Sequence, residues 1–185
     1  MMNKRALATA VAASTLAMAG FAQAEVKVGF LGGFTGGIES LTPPIFEGAQ
    51  LAVEQINEQG GILDGQTLVM PTGDTTCSDA SAASNAADRM VNSENVTAIV
   101  GALCTGATIA AANNAAIPGG VLMVSPASTA PAVSELDDND LVFRTVPSDA
   151  FQGEMLAKLL LEKGIDEVAV TYVNNDYGQG LSDAF

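Results

Sequence analysis

The sequence predicts an α/β protein whose parallel sheet is doubly wound, with helices on both faces, and three observations carry that prediction. Short β-branched and aliphatic runs alternate with longer segments of helical period from Val26 onward. Each unit takes roughly 20–35 residues, the length a right-handed strand–helix–strand crossover needs. Most runs end in Gly, Ser, Thr or Asn, the residues that form open turns at the carboxyl edge of such a sheet.

Residues 26–31 read as the first strand and run into a Gly-rich turn at 32–37. After Pro43 and Pro44, the side chains of Ile45, Ala49, Ala52, Val53 and Ile56 recur on one helix face, which Gly60 and Gly61 end. Residues 66–70 are the second strand, followed by Asp74 and Cys77. Asp79 stands where an N-cap would open a helix over 80–93. Residues 96–100 are apolar throughout, as a strand covered on both faces requires. They lead through Cys104, Thr105 and Gly106 into a helix over 107–116. A fourth strand at 121–124 ends in Ser125-Pro126-Ala127-Ser128-Thr129. A short helical turn near 131–136 and an acidic loop at 137–140 precede a strand at 141–144.

The rhythm then changes. Residues 146–149 read as a hinge and helix cap, 151–163 as a helix stopped by Gly164, and 167–173 as a new strand. The expected division is an export signal over 1–24, a first α/β lobe over 25–145, a hinge over 146–149 and the start of a second lobe over 150–185. The last residues break off inside a helix-like segment, so a fragment is expected, with apolar surface left uncovered after the hinge.

Lys4 and Arg5 open the signal, residues 6–20 are apolar and Ala-rich, and Ala22-Gln23-Ala24 fits a signal-peptidase site with cleavage after Ala24. The apolar run falls short of the about 20 residues a membrane-spanning helix needs. No Cys directly follows the cleavage position, so no lipid anchor is expected. The chain has 7 basic and 21 acidic residues, a net charge of −14. Residues 1–24 hold two of those bases and no acid, which leaves about −16 on the remainder. That balance argues against nucleic acid or an anionic membrane surface as partner. In an exported protein Cys77 and Cys104 are permitted to close a loop of about 28 residues, the alternative being two buried thiols.

Ligands of open α/β sheets sit beyond the strand carboxyl ends, and the turns there offer hydroxyls and free amides. A helix starting just after Thr105 aims unpaired N–H groups at that edge and favours an anion by about 0.3–1 kcal/mol. A carboxylate held by Thr105, backbone amides and Thr129 is chemically sensible; the same hydroxyls could instead serve only as caps of helices and turns. Catalytic readings find little footing. The chain has no His, which removes the Ser-His-Asp, Cys-His and histidine–metal arrangements. It has no P-loop, and Gly29-Phe30-Leu31-Gly32-Gly33 misses the dinucleotide-binding spacing. Residues 137–140 lack the Gly and terminal Glu of a calcium loop, and Asp74 and Asp79 are not set up as an acid–base pair. No enzyme, cofactor or metal site is expected.

Several segments together resemble one family: Phe34-Thr35-Gly36, Phe46-Glu47-Gly48-Ala49, Gly60-Gly61-Ile62, Val100-Gly101-Ala102-Leu103-Cys104-Thr105, Ser125-Pro126-Ala127-Ser128-Thr129-Ala130-Pro131, Phe143-Arg144-Thr145 and Asp176-Tyr177-Gly178. Their order and spacing are similar to the type I periplasmic binding proteins for branched-chain amino acids. The resemblance implies two lobes closing on an amino acid or analogue, which the closed form delivers to the permease subunits of an ABC transporter. A ligand-sensing receptor of the same fold is the second reading. The resemblance also implies site roles. Thr105 would bind the ligand carboxylate, and Ala127 and Ser128 would offer backbone groups. The Thr129 hydroxyl would contact both ligand ends, Tyr177 would cover the ligand, and Leu41 would take a place on the side-chain wall often held by an aromatic. It implies a Cys77–Cys104 disulfide, and it places the acid that meets the ligand ammonium beyond residue 185.

Overall fold

The structure, a computed structural model, describes residues 25–185; the export signal expected over 1–24 lies outside the described residues. Strand β1 (Glu25–Gly32) lies inside the sheet. On one side it pairs with β2 (Thr67–Val69) and β3 (Thr72–Asp74), and on the other with β4 (Ala98–Gly101), all in parallel. Strands β5 (Leu122–Ser125) and β6 (Val142–Arg144) follow outward from β4, also parallel. Strand β2 lies within the strand expected over 66–70, and β3 is a further strand beyond those expected, separated from β2 by Met70 and Pro71. Proline has no N–H to give a ladder, but the Pro71 carbonyl accepts from Phe30 N at 2.8 Å and keeps the interruption against β1.

Neighbouring side chains on a strand face opposite ways, and this places a helix layer on each side of the sheet. Phe30 meets Phe34 and Phe46, with ring centroids 6.0 and 4.9 Å away; Phe46 belongs to α1 (Thr42–Glu58). Leu31 packs into the core cluster on the other face, with Ala83, Ala87, Met90 and Ala111. These come from α2 (Ala80–Asp88), α3 (Thr105–Ala111) and the π-helical turn Arg89–Ser93 that continues α2. A second π-helical turn, Ala112–Ala116, continues α3. Burying a side chain such as Phe30 or Leu31 contributes about 1.5–3 kcal/mol.

The ends of these helices follow from the sequence. Asp79 accepts from Ser81 N at 2.7 Å and Ala82 N at 3.3 Å and so caps α2. Helix α1 closes with Gly61 N donating to Ile56 O at 2.9 Å. Asn57 then fixes α1 to the sheet edge. Its amide donates to Leu68 O and its carbonyl accepts from Leu68 N, both at 2.8 Å.

Beyond β6, Ser148 caps α4 (Asp149–Glu162) and Asn175 caps α5 (Asp176–Ala184). Contrary to expectation, residues 167–173 are not a strand: they form no ladder with any described strand. A strand is defined by hydrogen bonds to a neighbour, and none of the described strands lies beside it. Val168, Val170, Tyr172 and Val173 are exposed, as are Phe151, Met155 and Leu159 of α4, so the expected uncovered apolar surface is present.

Cys77 and Cys104 form a disulfide, with Cα atoms 5.4 Å apart and a separation of 27 in sequence. Replacing both by Ser should lower stability by about 3.5 kcal/mol through the freed loop entropy of the unfolded chain. Urea unfolding of the oxidised parent and the double variant measures this; a loss below about 1 kcal/mol would mean the bridge closes a loop that is already ordered without it.

Candidate functional site

The sheet changes direction between β1 and β4. The connection from β1 passes through α1 on one face, and the one from β4 passes through α3 on the other. Such a divergence opens a crevice at the strand carboxyl ends. Four turns border it, after β1, β3, β4 and β5.

Asp74 at the end of β3 braces the first of these turns. Its Oδ1 accepts from Phe34 N at 3.0 Å, Thr35 N at 3.3 Å and Thr76 N at 2.9 Å, and its Oδ2 accepts from the Thr35 hydroxyl at 2.5 Å. Partial burial works to raise the carboxyl pKa. The Thr35 hydroxyl and the three amides outweigh it and hold Asp74 below the ordinary carboxylate value. The disulfide lies directly behind, because a Cβ added at Gly33 would come within 3.1 Å of Cys77 Sγ.

A hydroxyl network joins the turns after β4 and β5. Ala102 O accepts from Ser125 Oγ at 2.6 Å and from Thr108 Oγ1 at 3.1 Å. Ser128 N donates to Ser125 Oγ at 3.0 Å, and the Ser128 and Thr108 hydroxyls are 2.6 Å apart. Thr105, only 1% exposed, opens α3 beside this network, and its Oγ1 accepts from Ala130 N at 3.5 Å. The network therefore brings Thr105, Ala127, Ser128 and Thr129 to one edge. Within it, Ser128 spends its amide on Ser125 Oγ and its hydroxyl on Thr108 Oγ1.

Among the described residues, three buried polar atoms lack a partner; one, Thr76 Oγ1, is in the turn after β3, and two lie at this edge, Thr129 Oγ1 and Asp149 Oδ2. Their residues are linked, since Asp149 N donates to Thr129 O at 2.9 Å. Asp149 is 3% exposed. Sequence reasoning missed it, because an acid in the first turn of a helix reads as a favourable dipole contact with solvent around it. Only the fold shows that this turn is covered.

Leu41 and Tyr177 sit apart from the network. Leu41 precedes α1 and is 60% exposed; Tyr177, in the first turn of α5, is 45% exposed. Tyr177 lines a 530 Å³ cavity with Leu156, Leu160, Val170, Leu181 and Phe185. That cavity is part of the uncovered apolar surface of the elements after β6, and none of the hydroxyls of the network lines it. Helix α5 itself reaches the edge through two glycines. A Cβ at Gly106 would meet Asp176 Oδ2 at 2.6 Å, and one at Gly180 would meet Ala130 Cβ at 2.9 Å. Among the described residues, no group of three or more His, Cys, Asp or Glu is arranged to hold a metal ion.

The family model described as "Receptor family ligand binding region" matches residues 45–185. A Leu/Ile/Val-binding protein of Rhizobium johnstonii is 34% identical over 178 residues, covering 96% of this chain and 47% of that protein. The crystal structure of a leucine binding protein from Thermotoga maritima is 33% identical with a TM-score of 0.75, covering 86% of this chain and 44% of that one. A substrate-binding protein of an ABC transporter from Desulfitobacterium hafniense, solved with Leu, is 31% identical with a TM-score of 0.72, covering 88% of this chain and 46% of that one. The fold is that of the type I periplasmic binding proteins. The chain spans about half the length of the curated relatives it matches.

The lowered Asp74 pKa has a consequence for stability. Asp74→Asn should destabilise the chain at neutral pH, since the amide replaces a carboxylate favoured by four donors. A depressed native pKa gives stability that is present above the unfolded value and is lost as pH falls through the native one. The gap between parent and variant should therefore be full at pH 7 and close as acid protonates Asp74. Urea midpoints from pH 7 down to pH 3 test this; a gap independent of pH would refute it.

Proposed function

The chain belongs to the family of the receptor ligand-binding region, and from that premise we propose that it is the solute-capturing part of an ABC transporter's substrate-binding component. It acts after export to the periplasm, with a signal cleaved after Ala24. Residues 25–145 form the first lobe, 146–149 the hinge, and 150–185 the start of the second. The ligand is a branched-chain or other apolar amino acid, or a related small carboxylate or amide. It contacts both lobes only when they close, so binding shifts the open–closed equilibrium. The closed form then presents itself to the permease. The component itself is not an enzyme.

The observation that carries this reading is the pair of orphaned polar atoms at the crevice. A buried polar atom without a partner costs about 1–3 kcal/mol. An ammonium group set between Thr129 Oγ1 and Asp149 Oδ2 would relieve both atoms. The carboxylate of the same ligand would take Thr105, the amides that open α3 and the amide of Thr129. Asp149 thus supplies a negative partner for the ammonium within the first 185 residues, beside any acid contributed by the rest of a longer chain. The relatives' names support the ligand class, because they bind Leu, Ile and Val. The family model's description also favours a sensor built on the same lobes. Transport predicts uptake lost on deletion of the protein, whereas sensing predicts uptake unchanged.

Thermal-shift screening of the complete mature protein against amino acids, amides and aromatic acids tests the reading. A cognate ligand at 100 times its dissociation constant should add about 2.7 kcal/mol, and no shift with any of them would overturn it. In calorimetry, Thr105→Ala and Thr129→Ala should each weaken binding by about 1–3 kcal/mol; unchanged affinity in both would discard the site. Asp149→Asn should weaken an amino acid by about 1.5–3 kcal/mol and leave a carboxylate without an ammonium nearly unaffected. Equal losses for the two ligands would remove Asp149 from the site.

A further inference from the structure

Arg144 has a role that its place on β6, behind the binding turn, does not suggest at first. Its Nη1 donates to Thr129 O and Ala130 O, both at 2.9 Å, and to Ser128 O at 3.5 Å; Nη2 donates to the Ser134 hydroxyl. The described ion pairs use Lys27, Arg89 and Lys158, and Arg144 is in none of them. A half-buried guanidinium is ordinarily matched by a carboxylate or phosphate. Here its charge is met by a row of three successive carbonyls instead.

In a trans peptide the C=O and N–H point in opposite directions. Carbonyls 128 and 129, drawn toward Arg144, therefore turn the amides of Thr129 and Ala130 away from it. The Ala130 amide points to Thr105 Oγ1, the residue at the head of the crevice. A cation on the oxygen end of a peptide also polarises the N–H at its other end, as hydrogen bonds in a chain strengthen one another. We propose that Arg144 is a positioning residue that orients and polarises the Thr129 and Ala130 amides, making this turn prefer a ligand with a carboxylate over the same ligand as a neutral amide. The proposal rests on the ligand reading above for its selectivity, and on the hydrogen bonds alone for its action on the amides.

Two measurements on the complete mature protein test it separately. Calorimetry with L-leucine and L-leucinamide should show Arg144→Met losing about tenfold or more for leucine, equivalent to about 1.4 kcal/mol, with leucinamide changed by less than about threefold. Arg144→Lys, which keeps the charge but not the planar fork, should fall between. Ser134→Ala frees one arm of the guanidinium without removing it and should shift the same preference by a smaller step, which keeps the test open if Arg144→Met does not fold. In the ligand-free protein, the amide proton resonances of Thr129 and Ala130 should move upfield in Arg144→Met, and less in the other two variants. Equal losses for leucine and leucinamide, or unmoved Thr129 and Ala130 resonances, would overturn the proposal. If the parent binds neither probe, the ligand reading fails while the resonances still decide the role of Arg144.

Discussion

A single carbonyl, Ala102 O, holds the crevice in register. It follows β4 directly and receives the Ser125 hydroxyl from β5 and the Thr108 hydroxyl from α3. Each donor belongs to a different element, so this oxygen sets the separation of two turns that are more than 20 residues apart in sequence. The Ser128 amide, taken up by Ser125 Oγ, extends the same chain of bonds into the turn after β5. Such networks rigidify only when every member is satisfied, and here the members next to the sheet are. What stays unsatisfied on this side of the crevice lies one step further out, at Thr129 and Asp149. A rigid ledge with open valences at its rim is the arrangement a preorganised binding site needs, because the order is present before the ligand arrives.

Backbone constraint supports the same ledge. Gly101 has φ +126°, and a Cβ there would lie 2.4 Å from Leu31 O. Only glycine lets β4 turn this closely against β1 before Ala102 presents its oxygen. On the far side of the crevice, Thr76 and Cys77 both have positive φ, at 53° and 61°. Non-glycine residues in that region cost about 1 kcal/mol or more unless their surroundings impose it. The disulfide and the four donors around Asp74 are the surroundings that do so. The crevice is thus framed by one wall fixed through hydroxyls and another fixed through a covalent bond and a carboxylate.

Much of this was legible in the sequence, and the limits of legibility have physical causes. The sheet, its parallel sense and the helix caps at Asp79 and Ser148 follow from period and capping chemistry, which act over a few residues. The end of β2 before Pro71 has a local cause, the missing N–H, yet the register that puts β3 on β1 is not local and β3 went unexpected. The hydroxyls of Thr105 and Thr129 could be singled out, but not their states, because one accepts a backbone amide and the other is orphaned only through contacts made across the fold. Asp149 and Arg144 were hidden for the same reason. An acid in a first turn and an arginine on an edge strand both look like solvated surface until the turn that covers them is placed. Residues 167–173 failed in the opposite direction: the side-chain pattern is that of a strand, but strandness belongs to a pair of segments, and no described strand pairs with this one.

The charges at the crevice work as a set. Arg144 stands behind the Thr129–Ala130 turn, Asp149 stands under Thr129, and Asp176 reaches Gly106 from α5. The chain as a whole is strongly acidic, so a free carboxylate approaching it meets net repulsion at long range, screened beyond about 8–10 Å in physiological salt. Capture of an anion by such a surface has to be a short-range matter of directed donors. A positive charge placed behind the backbone, with its field delivered through two amides, answers that need without putting a cation in the crevice. A lysine or arginine inside would pair with Asp149 and close the very valence that an ammonium group could fill. Seating the guanidinium on three carbonyls keeps it out of the described ion pairs. In the proposed reading the Thr129 amide would take the anionic end of a ligand and Asp149 its cationic end, and a ligand bearing both charges is the species that would satisfy both.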